Sequence, residues 1–173
     1  MYEQHAIGGP GLTVEVDESL FVRRKHNVGR CVGQQWVFEG VCRETKECFL
    51  FAVKDRTSAT LADSIRKNVL PGSIIISDCW KGYEALDAMP LADLYSHYTV
   101  NHSEHFVDPD TGAHTQTVES LWCSAKRRFK ARNGTHRHLL DSYLCKFVWR
   151  KKFWNANPFD KILEDIAAFW PPE

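Results

Sequence analysis

Three acidic side chains stand in separate blocks of the chain: Asp17 in Leu-Thr-Val-Glu-Val-Asp-Glu-Ser, Asp78 in Ile-Ile-Ile-Ser-Asp-Cys-Trp-Lys-Gly-Tyr, and Glu119 in His-Thr-Gln-Thr-Val-Glu-Ser-Leu-Trp. Carboxylates are the oxygen donors that Mg²⁺ and Mn²⁺ select. Two such ions about 3.5 to 4 Å apart, sharing a carboxylate, suit the cutting and joining of phosphodiester bonds. One ion activates the attacking water or 3′ hydroxyl and the other stabilises the leaving oxygen. Three well-placed acids are enough for that chemistry.

Each acid also has a structural reading. Asp78 could cap the helix that follows it, and Glu119 could be a first-turn carboxylate favoured by the helix dipole. Asp17 could be a polar strand-end residue, and Glu15 and Glu18 compete with it for the chemical role. The helix after Glu119 weighs the other way. At about 100° per residue, Lys126 returns seven positions later to nearly the same face, with Lys130 close by. Basic residues along the edge that carries the acid would bring DNA beside the metals.

The elements that must position these acids are readable from periodicity. Residues 12–17 alternate Leu, Val and Val against Thr, Glu and Asp, which predicts a strand ending at Asp17. Segments 34–40 and 46–55 predict two further strands in an antiparallel meander. Ser58 is the predicted N-cap of a helix through about Asn68, stopped by Pro71-Gly72. The run 73–77 predicts a strand buried on both faces, with Asp78 just past its end. A short helix over 81–88, a strand over 95–101 and a polar loop over 102–114 follow. Val118, Leu121, Trp122, Ala125 and Phe129 then repeat at helical spacing, with Glu119 in the first turns. Further helical stretches cover 137–153 and, more briefly, 162–170. A meander followed by alternating helix and strand predicts an α/β mixed sheet with helices on both faces and its chemistry at the strand ends.

A chain of 173 residues with 43% hydrophobic residues fits one domain with a core that needs no disulfides. We expect one domain over residues 1–155 and a helical tail over 156–173. The apolar runs fall far short of about 20 residues, so no membrane span is expected. The start, Met-Tyr-Glu-Gln-His, lacks the pattern of a signal peptide. The six cysteines show no Cys-x-x-Cys pair and read as reduced core thiols of an intracellular protein, not as a zinc site. The formal net charge is zero, yet ten of the 22 Lys and Arg fall between Ser120 and Lys152 against one acid, Asp141. That flank is either a solvated helix face or a seat for a phosphate backbone.

In order along the chain, Thr-Val-Glu-Val-Asp-Glu-Ser, Arg24-Lys25, Val-Lys-Asp-Arg-Thr, Ile-Ser-Asp-Cys-Trp-Lys-Gly-Tyr, Val-Asn-His-Ser-Glu-His-Phe-Val-Asp, His-Thr-Gln-Thr-Val-Glu-Ser-Leu-Trp with Lys126-Arg127, and Trp149-Arg150 together resemble the catalytic domain of Merlin-type DDE transposases and their bacterial insertion-sequence relatives. The likeness covers roughly residues 8–152. It implies a ribonuclease H-like fold, a mixed five-stranded sheet flanked by helices on both faces. It implies Asp17, Asp78 and Glu119 as catalytic and metal-binding triad, with two Mg²⁺ or Mn²⁺ ions. It also implies Lys126, Arg127, Lys130, Arg24 and Lys25 as DNA contacts, and His102 and His114 as neighbours of the site. The implied activity is cleavage at transposon ends and strand transfer, by a homodimer or higher assembly with DNA as partner and no small-molecule substrate. The expected location is the nucleus of a eukaryote, or the cytoplasm or nucleoid of a bacterium.

Two features depart from the pattern. Gln116 stands where the family usually has Asn, and only sixteen residues precede Asp17, where bacterial relatives carry a DNA-binding region. The second feature raises the alternative of a truncated or domesticated remnant that binds DNA or protein without catalysis. A nuclease of the same fold acting on RNA/DNA hybrids is a third reading. A calcium-loop reading of Asp108, Asp110 and Glu119 fails because Ala113 occupies the position that demands glycine. Trp80, Tyr83, Trp122 and Trp149 are expected in the core.

Overall fold

The computed structural model describes residues 5–22, 35–88, 94–104, 106–109, 111–131 and 137–171. Its strands are β1 (Ile7–Gly8), β2 (Thr13–Val22), β3 (Gln35–Cys42), β4 (Cys48–Val53), β5 (Val69–Leu70), β6 (Ile74–Asp78) and β7 (Ser96–Val100). Its α-helices are α1 (Ser58–Asn68), α2 (Gln116–Lys130), α3 (Leu140–Lys152) and α4 (Pro158–Phe169), and a 3₁₀ helix spans Lys81–Leu86. Five strands form one sheet in the order β4-β3-β2-β6-β7, and β1 pairs with β5 apart from it.

Strand β3 is antiparallel to both β2 and β4, whereas β6 and β7 run parallel to β2. The carboxyl ends of β2, β4, β6 and β7 therefore share one edge. Along β2 the side chains alternate between two buried layers. Val14 and Val16 join Phe38, Phe49, Leu61, Ile65, Ile75 and Tyr83 beneath α1 and the 3₁₀ helix. The odd-numbered face meets Val37, Val41, Leu50, Val118, Trp122 and Leu144 beneath α2 and α3. Helices thus cover both faces, as the alternation of elements predicts. Gly40 is required by this packing, because a Cβ there would lie 2.4 Å from the Phe49 ring across the β3–β4 pair.

Several expected boundaries are corrected. β2 continues to Val22, so Asp17 lies within the strand and not at its end. The polar Glu18 and Ser19 do not stop it because each has a partner from the covering layer: the Tyr83 hydroxyl donates to Glu18 at 2.6 Å, and Lys126 Nζ donates to Ser19 Oγ at 2.7 Å. The cap of α1 is Thr57, whose hydroxyl accepts from Thr60 N, not Ser58. Asp78 is the last residue of β6. Among the described cysteines all are free, but only Cys42 and Cys48 are buried, while Cys79 and Cys123 are exposed. Trp80 is 38% exposed and not part of the core. No helix among the described residues is long and apolar enough to cross a membrane.

Candidate active site

The parallel register of β2 and β6 pairs Glu15 with Ile76. Two residues on, along the same face, the side chains are Asp17 and Asp78. Across the antiparallel partner, Glu39 of β3 is directly opposite Asp17. Three neighbouring strands thus present Glu39, Asp17 and Asp78 in a row beneath α2.

Two hydrogen bonds hold Asp17. Its Oδ1 accepts from Glu18 N and its Oδ2 from Trp122 Nε1, both at 2.8 Å. Burial pushes its carboxyl up to about 6 from an ordinary 3.8, and the nearby Asp78 charge adds to the rise. Asp78 Oδ1 accepts from Trp80 N at 3.0 Å, which shapes the turn leaving β6. Two carboxylates crowded in this way repel each other, and an oxygen-preferring cation between them would relieve the repulsion.

Glu119 is carried by α2 and is not gathered with the pair. Its side chain is 51% exposed, with Oε1 accepting from Thr115 Oγ1 at 3.0 Å and lying 3.5 Å from His102 Nε2. His102 also bonds the same hydroxyl, at 2.6 Å. Among the described residues no group of three or more His, Cys, Asp or Glu is close enough to hold a metal ion. Asp17 and Asp78 offer carboxylate oxygens on adjacent strands, and Glu119 stands on the helix laid over them.

The two neighbours that competed with Asp17 have other work. Glu15 is fully buried, with Oε1 paired to Arg43 Nε and Oε2 accepting from Val118 N at 2.9 Å. It anchors the start of α2, and His114 lies against it, Nδ1 to Oε1 3.6 Å, rather than against the acid pair. Glu18 points to the opposite face, where burial pushes its carboxyl up to about 7 despite the Tyr83 hydrogen bond. Lys126 joins the site: its ammonium bonds Ser19 and lies 5.0 Å from the Trp122 ring, near enough to lower the Asp17 carboxyl. Arg127 and Lys130 are exposed on the same helix. Arg24 and Lys25 lie outside the described residues.

Glu39, Trp122 and Arg43 went unnoticed as parts of the site. Glu39 is fully buried, and neither carboxylate oxygen has a hydrogen-bond partner among the described residues. Burial, and then Asp17, hold its carboxyl well above the usual range. A signal existed, because Glu39 shares its strand face with Val37 and Val41, an apolar face that predicts burial.

A mixed sheet thus carries an acid pair on its central strands, covered by a helix rich in basic residues. The chain belongs to the ISXO2-like transposase domain family, which it matches over residues 9–152. It is 31% identical over 102 residues to an uncharacterized transposase-like protein of Haemophilus influenzae, covering 59% of this chain and 78% of that protein. In fold it is similar to the catalytic core domain of BIV integrase, with TM-score 0.52 and 14% identity over 91% of this chain and 97% of that one. It is also similar to the HTLV-2 integrase catalytic core domain in complex with magnesium, with TM-score 0.51 and 13% identity over 82% and 86%. The fold is ribonuclease H-like.

Proposed function

We propose that the domain cuts DNA and transfers the strand, with Asp17, Asp78 and Glu119 holding two Mg²⁺ or Mn²⁺ ions. The observation that carries this reading is the closeness of Asp17 and Asp78 on adjacent central strands, two residues past the Glu15–Ile76 pair and near enough for the Asp78 charge to raise the Asp17 carboxyl. The HTLV-2 integrase core, similar in fold, was solved with magnesium, which agrees with the choice of ion. When bound, the ions would activate the attacking oxygen and stabilise the leaving one. The chain's own part is positional. Trp122 and the Glu18 amide fix the Asp17 carboxylate, Trp80 N fixes Asp78, and Glu119 joins them on leaving Thr115. Lys126, Arg127 and Lys130 line the same helix and would hold the phosphate backbone, with Arg24 and Lys25 as further contacts. His102, 3.5 Å from Glu119, would orient that carboxylate.

Residues 1–155 would form the catalytic domain, working as a dimer or higher assembly in the compartment that holds the DNA, and 156–173 would be an appended tail. The test is incubation of the protein with Mg²⁺ or Mn²⁺, supercoiled plasmid and element-end oligonucleotides. Nicked and joined products that vanish in Asp78→Asn support the reading, and equal products from both proteins sink it. The outward set of Glu119 favours a second reading, a domain that binds DNA without cutting. Salt-dependent binding with no metal-dependent product from the wild type would select it.

A further inference from the structure

Arg56 follows β4 at the sheet edge where Asp78 ends β6, and the catalytic reading leaves it unused. Its guanidinium lies 4.7 Å from the Trp36 ring and 4.0 Å from the Trp80 ring. Its shortest polar contact among the described residues is the ion pair to Glu18, at 3.8 Å, which is beyond hydrogen-bond length. A guanidinium carries its N–H donors in one plane. Two indoles therefore hold this one in place while its donors remain unspent. Arg43 shows the contrast, since its donors go to Glu15 and to the His114 carbonyl.

The Arg56 side chain is 40% exposed and borders an open cavity of about 520 Å³, also lined by Trp36, Asp55, Thr57, Trp80 and Lys81. Among the described residues Asp55 is the only carboxylate of that lining. Its Oδ1 is committed to Thr57 N, Thr57 Oγ1 and Thr60 Oγ1, which limits its repulsion of an incoming anion. The cavity adjoins the acid pair at the strand ends through Trp80, whose N bonds Asp78, while the Glu18 that faces Arg56 lies on the other face of β2 from Asp17.

Planar cations with free donors select phosphate oxygens, and an exposed indole selects the face of a base. A base offers its face only when it is not stacked in a duplex. We propose that this cavity is a subsite for one unpaired nucleotide of the DNA strand next to the phosphodiester presented to Asp17 and Asp78. Arg56 and Lys81 take its phosphate, and Trp80, 38% exposed, takes its base on the side of the ring away from the guanidinium. The inference rests on DNA as the substrate and adds the strand state that the site recognises.

The test is fluorescence anisotropy of the whole chain in EDTA, with fluorescein-labelled dT12, a labelled 12-base-pair duplex, and dTMP as competitor. The wild type is expected to bind dT12 more tightly than the duplex. Arg56→Ala and Trp80→Ala are expected to weaken dT12 about tenfold, the worth of one stacked base, and to leave duplex affinity within about twofold. Lys81→Ala, at an exposed position, gives the same direction of change should either of the others fail to fold. Equal wild-type affinity for both probes overturns the proposal, as do Arg56→Ala and Lys81→Ala proteins that bind dT12 like the wild type. Competition by dTMP as strong as by dT12 overturns it too, by marking a mononucleotide site. A separate nicking assay with metal keeps the two readings apart. Loss of nicking with the dT12 preference intact removes the catalytic reading alone, and nicking without that preference removes the subsite alone.

Discussion

Trp122 Nε1 donates to Asp17 Oδ2 at 2.8 Å, and this bond is the middle of three that lay α2 along β2. Val118 N meets Glu15 before it and Lys126 Nζ meets Ser19 after it. Four residues of helix advance about 6.0 Å and two residues of strand about 6.6 Å. The two elements therefore stay in step, and Glu119, next to Val118, is delivered above the strand that bears Asp17.

Trp122→Phe keeps the ring in the core and removes only the donor. The lost bond normally lowers the Asp17 carboxyl, so that carboxyl should rise beyond about 6. The acid limb of metal-dependent nicking should move to higher pH, with a stability loss of about 1 kcal/mol. A pH–rate profile superimposable on the wild type's would contradict the assigned role of the indole.

Metal-free stability should fall as pH rises. Asp17 and Glu18 are raised to about 6 and about 7 from 3.8 and 4.5. Between those limits the folded chain holds protons that the unfolded chain has released. Their contribution is complete below about pH 4 and is lost as pH climbs through 6 to 7. For Asp17 alone it amounts to about 2–3 kcal/mol. Asp55, lowered to about 2, is ionised in both states above pH 5 and does not enter this window. Thermal melts at pH 5 and pH 8 should therefore differ, and Asp17→Asn should narrow the gap. A gap unchanged in that variant would refute the assignment.

Glu39→Leu should stabilise the protein. The substitution removes a buried carboxyl with no partner among the described residues and leaves an apolar group between Val37 and Val41. Replacing buried, poorly paired polar groups in this way gains about 1–3 kcal/mol, several degrees in melting temperature. A lower melting temperature would mean that Glu39 has a partner worth more than its burial costs.

The parts of this fold that were legible in sequence are those set by local periodicity. Ile74, Ile75 and Ile76 read as a buried strand, and the stripe from Val118 to Phe129 read as a helix, because each pattern is complete within its own segment. The extent of β2 was not legible, since Glu18 and Ser19 look like a strand end until Tyr83 and Lys126, 65 and 107 residues away, supply partners. The same distance hid the work of Glu15, whose amide partner Val118 is 103 residues on. Trp80 misled for a related reason. Its apolar neighbours suggested the core, whereas the Arg56 guanidinium gives its ring a partner at the surface.

Arg43→Ala should be among the most damaging changes away from the acid pair. Glu15 is fully buried and would keep the Val118 amide but lose its counter-ion. Stranding one member of a buried pair costs about 3–5 kcal/mol. The loss should appear as a lower denaturant midpoint with an unchanged slope. Arg43→Ala with Glu15→Leu should recover much of it, and a double variant no better than Arg43→Ala would show that the pair is not the cause.

Thr115→Val tests whether the outward set of Glu119 is held by the hydroxyl. That hydroxyl donates to Glu119 Oε1 at 3.0 Å and also bonds His102. A turn of the Glu119 side chain toward an ion at Asp17 and Asp78 that gives up this bond costs about 1 kcal/mol. Removing the hydroxyl at nearly constant volume should therefore tighten Mn²⁺ binding about fivefold, measured calorimetrically at fixed pH. Because Thr115 itself is buried, a melt of the same variant separates a packing change from a change in binding. An unchanged or weaker Mn²⁺ affinity, with the melting temperature preserved, would mean that the Thr115 hydroxyl does not restrain Glu119.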